Sequence, residues 1–363
     1  MLNDKTIAVI VPCFNEEQQI LHVLETMPGF VDLVIVVNDA STDATAAVVR
    51  KFMEADRTPL TPLVRRVREP GTGVFARADN LALELEREAE ASLVPCEEIR
   101  LPTSRVVLLN HQRNGGLGLS MARGYFHARA CNCDCTAKMD GDGQMDAGEL
   151  ERVCQPVIEG HADYCKGNRF KHRSARLAIP RVRYVGNAGL SLLTKIATGY
   201  WRISDTQSGF TALGRAALEQ LDIHLLYPRY GAANDLLQKL NIANFTLTEV
   251  PITPHYAVGE QSKLKVSHVA PRIASLLLRL FVQRLVKKYL VQTFHPLFLL
   301  YAFSLLAFIV DVPLTARFLY AYFVHHEIWM AHLTLATLIG IFSFQSLVFA
   351  MWFDINDNDR LYV

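Results

Sequence analysis

Residues 6–43, TIAVIVPCFNEEQQILHVLETMPGFVDLVIVVNDASTD, contain the pattern that decides the fold. Thr6–Pro12 and Asp32–Val37 are short β-branched runs typical of buried parallel strands, and a helical pattern lies between them. Short strand–helix links predict a parallel sheet with right-handed crossovers. Ligands of such sheets bind at the carboxyl ends of the strands, which is where the polar clusters around Asn15 and Asp39 lie.

The same alternation returns after an interruption. Residues 53–104 hold a Pro/Arg-rich piece, a glycine turn and an acidic helical pattern, and we interpret them as an inserted excursion of unknown role. Strand-like runs follow at Arg105–Leu109 and Cys135–Met139, with glycine-rich Asn114–Gly118 and a helix between them. We therefore expect a catalytic domain over residues 1–260, built on a mostly parallel sheet flanked by helices.

A pair of carboxylates follows the strand-like run Cys135–Met139. Asp140 and Asp142, separated by one glycine, can bind one hard cation together and leave coordination positions for diphosphate oxygens. With Gln144 as a further ligand, the segment predicts a site for Mg²⁺ or Mn²⁺, which would stabilise a departing nucleotide diphosphate. An exposed acidic turn is the alternative, and the preceding strand favours the metal site.

Two apolar segments lie near the end of the sequence. Phe294–Val310 is uncharged over 17 residues, about 26 Å as a helix, and Ile328–Phe353 is uncharged over 26 residues. They predict a transmembrane helical hairpin over residues 294–353, followed by a short acidic tail, residues 354–363. A buried helical pair in a soluble protein is the alternative.

The region before the hairpin, residues 261–293, is basic. No Asp or Glu occurs from Gln261 to Val310, and apolar residues alternate with Arg and Lys at helical spacing over Pro271–Leu290. This favours a helix in the membrane interface. The positive-inside rule then predicts an integral membrane protein with its catalytic domain on the cytoplasmic face. The overall charge of +1 argues against a nucleic-acid binder, and the sequence leaves oligomerisation open.

Several motifs occur in one order along the chain, and together they resemble glycosyltransferase family 2, in particular its dolichol-phosphate mannose synthase-like branch. They are VPCFNEE (residues 11–17), VNDASTD (37–43), NGGLG (114–118), KMDGDGQ (138–144), GNR (167–169), DTQSGF (205–210), EVPI (249–252) and GEQSK (259–263). The resemblance covers nearly the whole chain apart from the excursion. It implies the GT-A nucleotide-sugar-binding fold and a metal-dependent hexosyltransferase that inverts the anomeric centre.

The resemblance also implies a donor pocket. Pro12, Asn15, Glu17, Asp39 and Asp140 would line the nucleotide-sugar site, with Asp39 contacting the base. Asn38 stands where many relatives have Asp. An Asx turn that caps the next helix is the alternative for the loop after Val37.

Basic residues further along are candidates for the acceptor side. If the acceptor is a lipid phosphate, two anions must approach, and unit charges 4 Å apart repel by about 4 kcal/mol at an effective dielectric of 20. Arginine forks and a metal can offset that repulsion. The candidates that bind the acceptor or the diphosphate are Arg169, Arg183, Ser262 and Lys263.

Two carboxylates, Asp205 and Asp235, join Arg169 as candidate catalytic residues. A hydroxyl acceptor needs a general base, whereas a phosphate is already ionised. Helix capping is the alternative for both carboxylates.

The leading hypothesis is transfer of a sugar from a nucleotide-sugar to a membrane polyprenyl phosphate, dolichyl or undecaprenyl. The first alternative is transfer to a hydroxyl of a lipid-linked saccharide in surface-polysaccharide assembly. From other classes, a nucleotidyltransferase would share the sheet and the metal-bound nucleotide, but its glycine-rich opening is missing. A catalytically inactive membrane scaffold is disfavoured because Asp140 and Asp142 are both present.

Overall fold

The computed structural model of the chain describes residues 1–56, 58, 63, 65, 74–171, 181–253 and 266–363. Within them, helices cover both faces of an eight-stranded mixed sheet, and two long apolar helices follow. The strands are β1 (Ile7–Cys13), β2 (Leu33–Asn38), β3 (Cys96–Arg100), β4 (Val106–His111), β5 (Cys135–Lys138), β6 (Tyr164–Asn168), β7 (Thr211–Gly214) and β8 (Leu247–Pro251).

The strand order is β3-β4-β2-β1-β5-β7-β6-β8. β1 is parallel to β2 and β5, β2 to β4, and β6 to β8, while β7 is antiparallel to both β5 and β6, and β3 to β4. Six strands therefore point the same way, which confirms the mostly parallel sheet. Cys13 pairs with Asn38 and Asn38 with Asn110, so the carboxyl ends of β1, β2 and β4 lie level at one edge.

The α-helices are α1 (Ile20–Glu25), α2 (Thr45–Ala55), α3 (Ala76–Ser92), α4 (Leu117–Ala130), α5 (Leu150–Ile158), α6 (Arg181–Thr198), α7 (Arg215–Gln220), α8 (Ala232–Ile242), α9 (Val266–Arg284), α10 (Pro296–Tyr320) and α11 (Met330–Asp359). The alternation of side chains along β1 separates two cores. Ala8 and Ile10 pack with α4 and α8, whereas Ile7, Val9 and Val11 pack with α1, α2 and α5. Burial on both faces explains why β1 is a continuous apolar run.

Part of the 53–104 excursion belongs to the sheet. β3 extends the sheet as an antiparallel edge strand on β4, and Leu83 and Ala89 of α3 are buried. The two ends of the excursion meet where Ser104 Oγ donates to the Asp56 carboxylate at 2.8 Å. Over the residues that the structure describes, the excursion thus adds an edge strand and a partly buried helix to the domain that contains the sheet.

The apolar hairpin is longer than the sequence pattern predicts. α10 continues through a π-helical stretch, Ala321–His325, so each helix of the pair runs for 30 residues, about 45 Å. The first helix continues past Asp311, whose carboxylate lies against Gly340 of α11. Ser304 and Ser343 donate to each other's carbonyl at 2.9 Å and tie the helices together. By length and composition, both helices are able to cross a membrane.

A buried polar network, comprising Arg284, Lys288, Tyr289, Asp354 and Asn358, fixes the base of the hairpin. Arg284 and Asp354, both fully buried, form a two-pronged ion pair at 2.6 and 2.7 Å. Arg284 also donates to the carbonyls of Ile196 and Ala197 in α6, and Lys288 donates to Asn241 of α8. The base of the apolar hairpin is therefore bonded directly to helices α6 and α8 of the sheet domain.

This network corrects two expectations. Residues 354–359 are not a free acidic tail but the last turns of α11, because Asp354 and Asn358 are buried against Arg284 and Lys288. For the same reason, Arg284 and Lys288 do not face the membrane interface. Exposed bases of this region are Arg272, Arg279 and Lys287.

Candidate active site

The candidate site lies at the edge where the carboxyl ends of β1, β2, β5 and β6 meet. Gly141 N donates to Pro12 O at 3.3 Å, and Asp39 N donates to Cys13 O at 3.0 Å. The predicted donor-side residues at the ends of β1, β2 and β5 are thus brought together. Chain order alone could not supply this contact, because residue 141 is far from residue 12.

Asn15 and Glu17 bind the loop that follows β2. Asn15 has a positive φ of 59° and its side-chain oxygen accepts from Thr42 N at 2.8 Å. The Glu17 carboxylate accepts from Ala44 N at 2.9 Å. Asp43 accepts from Thr45 N at 3.0 Å, as in an Asx turn. Asp43 therefore forms the Asx turn that the sequence offers as an alternative. The loops after β1 and β2 are hydrogen-bonded to each other and form one ledge beside Pro12.

Asp39 directly follows β2 and is 4% exposed, and its carboxylate contacts groups at and just after the end of β4. It accepts from Gly115 N at 2.8 Å and Gly116 N at 2.7 Å, and His111 Nδ1 lies 2.8 Å away. Burial alone would raise the pKa of Asp39, but the hydrogen bonds from His111 and the two glycine amides outweigh it and lower the pKa. Asp39 thus fixes the Asn114–Gly118 loop, so base contact through this carboxylate stays a prediction.

The Asp140–Asp142 segment lies directly after β5, as the sequence predicts. Asp142 accepts from Gln144 N at 3.0 Å, and the side chain of Asp140 is 27% exposed. Lys138, 3% exposed, donates to Asp140. A Cβ added at Gly209 would lie 2.7 Å from Asp140 Oδ2, so the start of the Gly209–Phe210 segment packs on this carboxylate.

The oxygen donors of this segment fit a hard divalent cation. Among the described residues there is no group of three or more His, Cys, Asp or Glu side chains that could hold a metal. Two carboxylates, Asp140 and Asp142, with the Gln144 amide are a small protein donor set of the kind that Mg²⁺ uses when substrate phosphates and water complete its coordination. The donor chemistry therefore agrees with the predicted site.

Arg169 and Asp205 form an ion pair at the end of β6. Arg169 donates Nε to Asp205 at 2.8 Å and Nη2 at 3.0 Å, and its backbone N donates at 3.1 Å. Burial alone would raise the pKa of Asp205, but Arg169, with a smaller effect of Lys166, lowers it. Asp205 is 1% exposed and the Arg169 side chain 23% exposed, so the buried carboxylate holds the guanidinium at the rim.

A second buried lysine connects these two parts of the site. Lys166 is fully buried and donates to the carbonyl of Ser208, next to Gly209. Burial lowers the pKa of Lys166 to about 8, although Asp205 and Glu249 oppose the shift. The contacts thus run from Asp140 through Gly209 and Ser208 to Asp205.

Asp235 lies elsewhere, in the first turns of α8. Its carboxylate accepts from Tyr227 N at 2.9 Å and pairs with Lys239 at 3.2 Å. Asp235 thus has helix and loop contacts, and among the residues that the structure describes it bonds none of the other predicted site residues. Arg183 belongs to α6 but its side chain lies outside the described residues, as do Ser262 and Lys263 entirely.

Sequence reasoning missed Lys138, Lys166, His111 and Glu249. For Lys138 and Lys166, the sequence signal was a lysine inside a buried strand, which indicates a nearby partner because an ammonium is rarely buried without one. Glu249 stood in a quoted motif without an assigned role. Its carboxylate accepts from Ser204 N and Asp205 N, each at 3.0 Å, and supports the loop that carries Asp205.

Comparison with known proteins finds a partial family match and several relatives. The model of the family "Glycosyl transferase family 2" matches residues 8–85. A UDP-N-acetylglucosamine–dolichyl-phosphate N-acetylglucosaminyltransferase from Methanococcus voltae is 27% identical over 254 residues, 70% of this chain and 87% of that protein. A dolichyl-phosphate beta-glucosyltransferase from Trichomonas vaginalis is 23% identical over 75% of this chain and 72% of its own length.

Among solved structures, glucosyl-3-phosphoglycerate synthase from Mycobacterium tuberculosis in complex with uridine diphosphate matches with a TM-score of 0.47 and 17% identity, over 77% of this chain and 80% of that one. On these comparisons, residues 8–85 match the family 2 glycosyltransferase model, and over most of its length the chain is similar to dolichyl-phosphate sugar transferases.

Proposed function

We propose that this chain transfers a sugar from a nucleotide-diphosphate sugar to a membrane polyprenyl phosphate, dolichyl or undecaprenyl, in one in-line displacement with inversion. The observation that carries the proposal is the shared edge of the sheet. Asp140 and Asp142 lie there together with Arg169, which Asp205 holds at two nitrogens. The names of the curated relatives support a lipid phosphate as acceptor.

On the donor side, Asp140, Asp142 and Gln144 would hold Mg²⁺ or Mn²⁺. When bound, such an ion stabilises negative charge on the departing diphosphate. The chain's own contribution is placement. Lys138 orients Asp140, and the ledge of Asn15 and Glu17 borders the pocket beside Pro12.

On the acceptor side, Arg169 would bind phosphate oxygens, because a guanidinium fork matches their geometry. Asp205 then positions Arg169 rather than accepting a proton, since both of its oxygens accept hydrogen bonds and its pKa is lowered. Asp235 is likewise engaged by Tyr227 N and Lys239. These engagements favour a phosphate acceptor over a hydroxyl acceptor, which would need one of the two carboxylates as a base.

The apolar helices would bring the acceptor to this site. We propose that α10 and α11 cross the membrane and that the catalytic domain lies on the cytoplasmic face, with exposed Arg272, Arg279 and Lys287 near the anionic leaflet. The bonds from Arg284 to α6 and α11 would keep the domain at a fixed height above the bilayer.

A ligand screen tests the donor side. Purified protein in detergent is heated with UDP-, GDP- and dTDP-sugars, with and without Mg²⁺ or Mn²⁺. A ligand at about 100 times its Kd adds about 2.7 kcal/mol, a rise in Tm of about 5 °C for a chain of this size. We expect one nucleotide-sugar to give this rise with metal only, and Asp142→Ala to lose it.

The control is Asp222→Ala, which removes an exposed carboxylate from another part of the domain and should keep the full rise. A full rise in Asp142→Ala would contradict the metal assignment. The acceptor is then tested with the stabilising donor: product on polyprenyl phosphate is expected, and product on a lipid-linked saccharide alone would favour the hydroxyl-acceptor alternative.

A further inference from the structure

The residues after α11 return to the sheet. Leu247 N of β8 donates to Leu361 O at 2.8 Å, and Val363 N donates back to Leu247 O at 3.0 Å. Thr248 Oγ1 donates to Val363 O at 2.6 Å. Leu361 is 3% exposed and belongs to the core beneath the sheet. The segment Leu361–Val363, called here the return segment, therefore forms a parallel β-bridge on the outer edge of β8.

The return segment carries one polar side chain toward the candidate site. The Tyr362 hydroxyl donates to Glu249 Oε2 at 3.3 Å and accepts from Lys171 Nζ at 3.2 Å. Lys171 also lies over the Tyr362 ring, 5.9 Å from its centroid. Burial, followed by the charge of Glu249, raises the pKa of Tyr362, so the hydroxyl keeps its proton and remains a donor.

Glu249 transmits this contact to the acceptor side. It is 6% exposed and accepts from Asn168 Nδ2 at 2.9 Å and from the backbone N–H groups of Ser204 and Asp205. Asp205 in turn holds Arg169. With the Tyr362 hydroxyl, four groups donate hydrogen bonds to the Glu249 carboxylate, which leaves it few alternative orientations. Loss of any one donor increases the number of orientations that the carboxylate can adopt. Two residues, Glu249 and Asp205, thus connect Tyr362 to the Arg169 side chain through continuous hydrogen bonds.

We infer that Tyr362 is a positioning residue for sugar transfer, acting through Glu249 and the Asp205 loop to hold Arg169 where the acceptor phosphate binds. The inference rests on the proposed function, in which Arg169 binds the acceptor. It also gives the segment beyond the second apolar helix a role in the site. The apolar hairpin is thereby joined to the acceptor-binding arginine through the end of α11, in addition to the Arg284 bonds that join it to α6.

The matched variants are Tyr362→Phe, which keeps the ring and removes the hydroxyl, and Tyr320→Phe, which removes a hydroxyl from exposed Tyr320 at the end of α10. Hydrogen–deuterium exchange of the full chain in detergent measures the loop directly. We expect the amides of Ser204 and Asp205 to exchange about tenfold faster in Tyr362→Phe, since a hydrogen bond to a charged group is lost. The amides of Gly115 and Gly116, which bind Asp39, should not change.

Kinetics with polyprenyl phosphate provide the second measurement. Tyr362→Phe should raise the acceptor KM about tenfold and change the donor KM less than twofold, whereas Tyr320→Phe should match the wild type. Unchanged exchange at Ser204 and Asp205 would overturn the inference, and so would faster exchange with an unchanged acceptor KM. If the wild type forms no product on polyprenyl phosphate, the proposed function fails, and the exchange rates then decide the positional inference alone.

Discussion

Loss of the Arg284–Asp354 ion pair should destabilise the fold by several kcal/mol, because neither charge can reach water. Both side chains are fully buried, and the guanidinium meets the carboxylate at 2.6 and 2.7 Å. Burial alone would lower the pKa of Arg284, but Asp354 outweighs it and raises that pKa, so the cation persists. Asp354→Ala would leave a buried charge without its partner, which costs about 3–5 kcal/mol.

The assay is thermal unfolding of the full chain in detergent, followed by circular dichroism. At about 2 °C per kcal/mol for a chain of this size, Asp354→Ala should lower the Tm by about 8 °C. The matched control is Asp359→Ala, on the same helix. It breaks an exposed ion pair in which the Arg202 side chain is 59% and the Asp359 side chain 43% exposed. Such exposed pairs contribute about 0–1 kcal/mol.

A double variant separates the ion pair from its surroundings. Arg284→Met with Asp354→Leu removes both charges and should be less destabilised than Asp354→Ala. It should not reach the wild type, because the carbonyls of Ile196 and Ala197 lose their donor. A Tm of Asp354→Ala within 2 °C of that of Asp359→Ala would refute the reasoning, since the buried charge would then have found another partner or water.

Two further predictions concern the site loops. Gly118→Ala should lose at least about 1–3 kcal/mol of stability in urea titrations, because its Cβ would lie 1.8 Å from Tyr227 O, whereas Gly189→Ala, with nothing within 4 Å, should not. The lowered pKa of Asp39 means that its bonds stabilise the fold above the unfolded-state pKa and are lost as the pH falls through the folded value. Asp39→Asn should therefore lose less stability than the wild type on acidification below about pH 4, and an identical acid dependence would contradict this.

The fold could be predicted largely because its deciding signals are local. β1 and β2 are continuous apolar runs in the sequence. Helix α4 begins directly after Gly116, whose φ of 86° favours glycine at that position. β7 and β8 were missed because their sequences, TALG and LTEVP, lack the continuous apolar run that marks β1 and β2. Short strands of this kind are defined by their partners more than by their own composition.

In the candidate site, too, contacts between residues close in sequence could be predicted and contacts between distant residues could not. Asp140 and Asp142 are neighbours in sequence, so their joint role could be predicted from spacing. The pairing of Arg169 with Asp205 spans 36 residues, and that of Tyr362 with Glu249 spans 113, so no periodicity could reveal either. Charge type alone does not assign a role: Asp205 is predicted among the catalytic carboxylates, and its oxygens are engaged by Arg169 and by the amides of its own loop.

The basic region before the hairpin shows why counting charges overstates membrane attraction. Each exposed base near an anionic leaflet contributes about 1 kcal/mol, but Arg284 and Lys288 face carboxylates and amides inside the protein. Among the described residues from Arg272 to Lys288, three of the five bases remain exposed, about 3 kcal/mol rather than 5. That attraction is screened by salt, whereas the buried pair is not. Under the proposed function, salt should therefore weaken the docking of α9 on the bilayer while leaving the height of the catalytic domain above the hairpin unchanged.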